Sequence, residues 1–531
     1  MKTRQVFTLS CVVAMGLNTL VSPAARATPP NDPATRCNVL ATRDFASVID
    51  APTTITDARW VEASDSMPEH CVVIGYVHPR IGILLAMPAS NWNGRFLEEG
   101  CGGFCGGNLV RAADKYANEL FSYSLGRGYA HLIFASSGAS AMAGASAGAT
   151  SALWAYNDIQ GQFDFGIRAA HVAALAGKAI VESFFSAAPA KSYFSGCSSG
   201  GQQGLSEAQR FPWDFDGILV GAPSPTFSGP MMNYLWASRA LVGNVDRSDV
   251  ELVHEAAVAQ CDMDDGVRDG IIGDPIHCPF DPTSLLCKSG QSAGCLTTAK
   301  VHAIKKVYSG PTTSQGIKIY SGGPLPGSEL NWLADELSPA YLIGGAPSPW
   351  PKEYFSYIGF MPAPGPGWKL DDFDFDRDYK RLRMAESLFG AADNPDLRKF
   401  KAAGGKMIMY QGAADESDIP ADSIDYYELV EKTMGGRTET QEFFRFFLVP
   451  GMNHCEGGAG AFAIDYFDYL EAWVEKGQAP DVLIGSHLES DAAGMEPKTK
   501  FTRPIYPYPN RAKYKGKGDP NRAENFRPVL P

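Results

Sequence analysis

Lys191-Ser192-Tyr193-Phe194-Ser195-Gly196-Cys197-Ser198-Ser199-Gly200-Gly201-Gln202 is the stretch from which the rest of the chain can be read. Ser192 to Ser195 reads as a short buried strand and Gln202 to Arg210 as the helix behind it. Between them, Gly196-Cys197-Ser198-Ser199-Gly200 fits G-x-S-x-G, the sharp strand-to-helix turn that holds a serine Oγ exposed above a sheet. Gly196, Gly200 and Gly201 allow the tight turn and close packing of the helix. The cysteine beside Ser198 has a counterpart in His454-Cys455, so a bond between Cys197 and Cys455 would clamp a candidate nucleophile against a candidate base.

Outward from this turn, apolar runs predict further strands at Arg95 to Glu98, Tyr129 to Ala135, Ile218 to Val220, Lys406 to Tyr410 and Phe446 to Val449. Helical spacing marks Arg168 to Phe185 and Ala461 to Glu475. Strands alternating with helices argue for a mostly parallel sheet. Residues 224–394 differ in texture, with clustered cysteines, acidic loops and a stretch rich in Pro, Gly and aromatics. They are expected to form an inserted lid. The expectation is an α/β-hydrolase fold whose catalytic domain is discontinuous, 28–223 with 395–531, because both candidate partners of Ser198 lie beyond the insertion.

A serine hydroxyl is a weak nucleophile and needs a base in hydrogen-bond reach and a carboxylate to orient that base. On this fold the order is Ser, Asp or Glu, His, each after a core strand. Asp415 follows Lys406 to Tyr410, and His454 follows Phe446 to Val449 across Pro450-Gly451-Met452-Asn453. Glu416 and Asp418 compete with Asp415, and His487 with His454, but Asp415 and His454 hold the better loop positions. An oxyanion needs backbone donors. Ser199 N–H should supply one, and Cys101 N–H, in the glycine-rich Glu99-Gly100-Cys101-Gly102-Gly103, the second.

Length and composition agree with a globular protein, at 531 residues and 45% hydrophobic. Met1 to Ala27 combines Lys2 and Arg4, an apolar stretch and Ala25-Arg26-Ala27, the pattern of a secretory signal peptide. Ser10, Asn18 and Thr19 interrupt the roughly 20 apolar residues that a membrane span needs. Of 11 cysteines, Cys11 leaves with the leader. The ten that remain suit five disulfides in an oxidising compartment, secreted or periplasmic. Local spacings suggest Cys101 with Cys105, Cys261 with Cys278 and Cys287 with Cys295, so that Cys37 with Cys71 and Cys197 with Cys455 remain, although sequence does not fix connectivity. The net charge of −13 disfavours nucleic acid and anionic membrane as partners and leaves a small ligand as the better fit.

Asp262-Met263-Asp264-Asp265-Gly266-Val267-Arg268-Asp269-Gly270-Ile271 packs four acids into eight residues. It is not an EF-hand, but hard oxygen ligands this dense suit a structural Ca²⁺.

Taken together, these features resemble the tannase/feruloyl esterase family over nearly the whole mature chain. The Cys197-Ser198, Asp415 and His454-Cys455 arrangement matches the family's hallmark. Further matches are Lys191-Ser192-Tyr193-Phe194, Arg210-Phe211-Pro212, Phe215-Asp216-Gly217, Gly221-Ala222-Pro223, Phe373-Asp374-Phe375-Asp376 and Asp425-Tyr426-Tyr427. Gln411 departs from the histidine of many relatives. The resemblance implies a serine carboxylesterase acting on small esters of aromatic acids, hydroxycinnamic or gallic, with a mono(2-hydroxyethyl) terephthalate-type monoester as the alternative. It also implies a lid-borne Ca²⁺ held by side chains of Asp262, Asp265 and Asp269 and carbonyls of Val267 and Ile271, and an acyl pocket shaped by the lid. Trp332, Trp350 and Tyr354, with Tyr341, Phe355 and Tyr357, are candidates for its aromatic walls. A non-catalytic Ca²⁺-stabilised binding protein on the same scaffold is the remaining alternative, against which the intact Ser, Asp, His order argues.

Overall fold

Successive side chains along the central strands point to opposite faces, and the two faces bury different helices. In β6 (Lys191–Cys197), β7 (Gly217–Gly221) and β8 (Lys406–Gly412), the residues Phe194, Ile218, Val220, Met407 and Met409 join one core. Their neighbours Tyr193, Leu219, Ile408 and Tyr410 join another. The helices Ala169–Phe185, Ser199–Arg210 and Pro420–Met434 cover the first face, while Tyr466–Lys476 covers the second. The computed structural model describes residues 32–64, 67–105, 117–136, 150–333, 348–489 and 498–531.

The strands β1 (Thr53–Val61), β2 (His70–Val77), β3 (Ile81–Pro88), β4 (Arg95–Glu99), β5 (Ala130–Ala135), β6, β7, β8 and β9 (Phe444–Val449) form one nine-stranded sheet in the order β1-β2-β3-β5-β4-β6-β7-β8-β9. From β5 to β9 all neighbours pair parallel. At the other end β1, β2 and β3 form an antiparallel meander that joins β5.

Between β7 and β8 the chain leaves the sheet for a helical layer that includes Ser228–Leu241, Arg247–Cys261, Thr298–Ser309, Pro349–Tyr357 and Phe375–Phe389. Two larger cores lie in this layer. One gathers Val253, Ile304, Val307 and Trp332. The other gathers Trp350, Tyr354, Phe355 and Phe373 around Phe104, which projects from the loop after β4. Two hairpins end the chain, β10 (Leu483–Glu489) with β11 (Lys498–Ile505) and β12 (Arg511–Tyr514) with β13 (Phe526–Val529).

Five disulfides are present, Cys37–Cys71, Cys101–Cys105, Cys197–Cys455, Cys261–Cys278 and Cys287–Cys295. Among the described residues no helix is long and apolar enough to cross a membrane. The expected leader lies outside the described residues.

Candidate active site

Ser198 stands between β6 and the helix Ser199–Arg210 with φ 60° and ψ −123°, a conformation sparsely populated by any residue with a Cβ and characteristic of stored local strain. The surrounding backbone is tight enough to impose it. A Cβ on Gly196 would lie 2.4 Å from the Gly200 oxygen, and one on Gly201 would lie 2.3 Å from the Gly221 oxygen. The loops after β8 and β9 leave the sheet at the same carboxyl ends, where ligands meet open α/β sheets.

From the β8 loop, Asp415 is fully buried, and its Oδ2 lies 2.9 Å from His454 Nδ1. Its Oδ1 accepts the N–H groups of Ser417 and Asp418, each at 2.9 Å. Gln411, where the resemblance would put histidine, donates Nε2 to Asp415 Oδ2 at 2.8 Å and to the Asp418 carbonyl at 2.8 Å. Burial disfavours a cation on His454, but Asp415, backed by Asp418 and Glu416, overrides this and pushes the imidazole up to about 10. Ser198, Asp415 and His454 thus come together, with the Cys197–Cys455 bond tying the elbow to the base loop.

His487 does not join them. It lies in β10, bonds the Gly460 carbonyl at 2.9 Å and stacks on Phe501 at 4.9 Å. Asp418 does join them: its Oδ2 accepts the Ser198 hydroxyl at 3.3 Å and lies 3.8 Å from His454 Nε2.

A cleft of about 610 Å³ opens over Ser198 and His454, lined by Gly100 to Cys105, Phe134, Ser224, Phe227, Met231, Tyr234, Trp350 and Asp418 among others. Ser199 borders it, and its hydroxyl anchors the Gly103 carbonyl at 2.6 Å. Cys101 N–H, expected as an oxyanion donor, instead donates to Gln203 Oε1 at 3.1 Å. The cause is Gln203 on the nucleophile helix, whose amide also reaches the Cys101 and Cys105 sulfurs, each at 3.2 Å, and holds the disulfide loop against the helix. Gly102, one residue on, lines the cleft, and a Cβ there would meet open space.

Of the expected aromatic walls, Trp350 lines the cleft and packs on Phe104 at 5.0 Å. Tyr354 lies one layer back, stacked beneath Phe104 and Phe227. Trp332 is not part of the site. It is fully buried in the distal lid core, donating Nε1 to Ser328 Oγ at 3.0 Å, because that core needs a large side chain against Tyr308. Phe355 packs on Phe373 and Tyr357 on Tyr156; Tyr341 lies outside the described residues. The walls that sequence reasoning missed are Phe104, Phe227, Met231 and Tyr234. The last three carried a signal, since their spacing of four and three residues puts them on one helix face.

In the acidic loop, Asp262 Oδ1 accepts the N–H groups of Asp269 and Gly270, each at 3.1 Å. Asp265 Oδ1 accepts that of Val267 at 2.8 Å, and Asp269 Oδ1 that of Ile271 at 3.1 Å. Arg503 of β11 donates to Asp269 Oδ2 at 2.5 Å. Burial, with Asp269 and Asp262 close by, raises Asp265 to about 6, and burial raises Asp269 as well.

A strained serine on a strand-to-helix elbow, a buried carboxylate on the imidazole and a parallel sheet beneath them define an α/β-hydrolase. Residues 67–529 match the family described as tannase and feruloyl esterase. The chain is 32% identical to the mono(2-hydroxyethyl) terephthalate hydrolase of Piscinibacter sakaiensis, covering 91% of this chain and 89% of that one. It is also 32% identical to a probable feruloyl esterase of Arthroderma benhamiae, covering 84% and 82%. The crystal structure of feruloyl esterase B from Aspergillus oryzae superposes with a TM-score of 0.78 at 26% identity, covering 94% of this chain and all of that one. The chain belongs to the tannase and feruloyl esterase family and is a carboxylic ester hydrolase.

Proposed function

We propose that the protein is an extracytoplasmic serine esterase that cleaves esters of small aromatic acids of the hydroxycinnamic or gallic type. The observation that carries this reading is the Asp415–His454 pair facing the cleft beside Ser198, under a wall of Phe104, Phe227 and Trp350. Ser198 Oγ attacks the ester carbonyl while His454 Nε2 takes its proton and passes it to the departing alcohol. Asp415 fixes the ring through Nδ1, and water then repeats the sequence on the acyl-enzyme. Ser199 N–H, with Gly102 N–H in place of Cys101, faces the developing oxyanion. A leader ending near Ala27 and five disulfides in the folded chain support a secreted or periplasmic location.

We also assign a structural Ca²⁺ to the acidic loop. The donor set fits a hard cation: Asp262 is buried, burial raises Asp265 and Asp269 in the same loop, and the peptide carbonyls of Val267 and Ile271 would complete the set. The ion would neutralise these acids and fix the loop; it has no part in ester cleavage.

The relative from Piscinibacter favours a second reading, hydrolysis of a terephthalate monoester. Purified protein assayed on methyl ferulate, methyl gallate and mono(2-hydroxyethyl) terephthalate separates the two by kcat/KM. Ser198→Ala should lower kcat by about 10⁴-fold or more on every substrate. Retained turnover in that variant overturns the serine mechanism, and a wild-type protein that neither turns over any ester nor reacts with a fluorophosphonate would be a binding protein instead.

A further inference from the structure

We propose that Asp418 is a second carboxylate of the catalytic centre: it holds the Ser198 hydroxyl in the resting enzyme and faces His454 Nε2, so that the imidazolium formed in the reaction lies between two carboxylates. The inference rests on the serine-esterase reading above.

The placement of Asp418 is built by several elements. Its N–H donates to Asp415 Oδ1 at 2.9 Å, and its carbonyl accepts Gln411 Nε2 at 2.8 Å. Ser224, from the loop after β7, donates to its Oδ1 at 2.8 Å. These bonds leave Oδ2 directed at the reacting groups, 3.3 Å from Ser198 Oγ and 3.8 Å from His454 Nε2. The residue lines the cleft while only 8% exposed. Helix capping does not account for it, since the following helix Pro420–Met434 has Ile419 at its cap with no side-chain cap bond.

The step itself balances without a proton on Asp418. The Oγ–carbonyl bond forms as the serine proton passes to Nε2, the ester C–O bond breaks, and the alkoxide takes the proton from Nε2. Asp418 stays ionised beside the cation. Two consequences follow. Ser198 must turn from Asp418 toward His454 before attack, and the second carboxylate makes the proton harder to remove from His454, so the base form appears only at higher pH. The groups facing Asp418 are His454, Asp415, Asp422, Tyr234 and Tyr320. Those facing His454 are Asp415, Asp418 and Glu416. Burial raises Asp418 to about 6 and Asp422 to about 7, so both carboxyls also take up protons on the acid side; His454, the one imidazole in this set, is the group whose proton must leave before it acts as base.

The test is the pH profile of kcat/KM on methyl ferulate, a neutral ester, for wild type, Asp418→Asn and Asp418→Ser. Both variants should move the midpoint of the acid limb down by about one unit, a roughly tenfold gain in the active fraction on the acid side, with a lower plateau. A folded variant with an unmoved limb overturns the proposal while leaving the triad intact. Should neither variant fold, Ser224→Ala decides: removing the donor that fixes Asp418 Oδ1 should move the same limb downward relative to wild type, and an unmoved limb overturns the proposal. Activity surviving Ser198→Ala would instead remove the reading on which the proposal stands.

Discussion

Gly196 and Gly200 occupy one motif, yet a methyl group at each meets a different obstacle. At Gly196 it would stand 2.4 Å from the Gly200 carbonyl, a collision between strand and helix backbones that neither can relieve. At Gly200 the nearest atoms are those of Gly100 at 3.2 Å, on a loop that can yield by a few tenths of an ångström. Gly196→Ala should therefore cost about 1–3 kcal/mol of stability, the range for overpacked sites. Gly200→Ala should cost less stability and chiefly lower kcat, because the loop it displaces borders the oxyanion. Thermal melts of both variants check this, and a larger loss at Gly200 than at Gly196 contradicts the packing argument. At this scale the sequence was legible where chemistry is local. The elbow motif marks Ser198, and strand ends mark Asp415 and His454. Cys101 was misassigned because nothing local says that Gln203, a hundred residues later, will take its N–H. Asp418 was visible only as a competing acid, since its meeting with Ser198 depends on how two distant loops face each other.

Between residues and the whole, the strands that alternate with helices were the readable ones. β1, β2 and β3 went unread although Ile81–Pro88 is buried along its whole length, because no helix separates them and the strand–helix rhythm is silent there. The terminal hairpins went unread for a related reason. Lys498–Ile505 begins with three exposed residues and shows only a partial alternation. These hairpins grip the acidic loop, with Arg503 on Asp269 and Lys513 on the Asp264 carbonyl. On its other side the loop presses Ile271 against Gly451, three residues before His454 in the chain; a Cβ on that glycine would stand 3.1 Å from Ile271. A Ca²⁺ ion held there would stabilise the floor of the base loop as well as the lid. Removing it with EDTA should lower the melting temperature and, through Gly451, the ester activity, with Ca²⁺ restoring both. Unchanged melting together with no bound Ca²⁺ by elemental analysis withdraws the site.

For the molecule as a whole, the Cys197–Cys455 bond spans 258 positions and joins the last residue of β6 to the loop after β9, two strands that are not neighbours in the sheet. Closing so long a loop removes about 5 kcal/mol of unfolded-chain entropy in the simplest model, less any native strain. Replacing both cysteines by serine should lower the melting temperature and weaken activity before the fold is lost, because the elbow and the base are then held together only through the sheet. Intact mass before and after reduction should show five disulfides in the native protein; a free Cys197 would remove the clamp. The helical layer between β7 and β8 differs from the rest of the sequence in texture, whereas its inner face is legible there only in part. Phe227, Met231 and Tyr234 share a helix face by their spacing, but that this face and Trp350 border the cleft is decided by packing between layers, which the spacing does not encode. One lid side chain reaches further than these. Asn331 donates to the Ala414 carbonyl at 3.1 Å and to Asn453 Oδ1 at 2.8 Å, touching the residue before Asp415 and the residue before His454 at once. Anyone grafting a relative's lid onto this scaffold to change its substrate must therefore carry a matching amide across the seam, or the transplant will alter the alignment of acid and base along with the pocket it was meant to exchange.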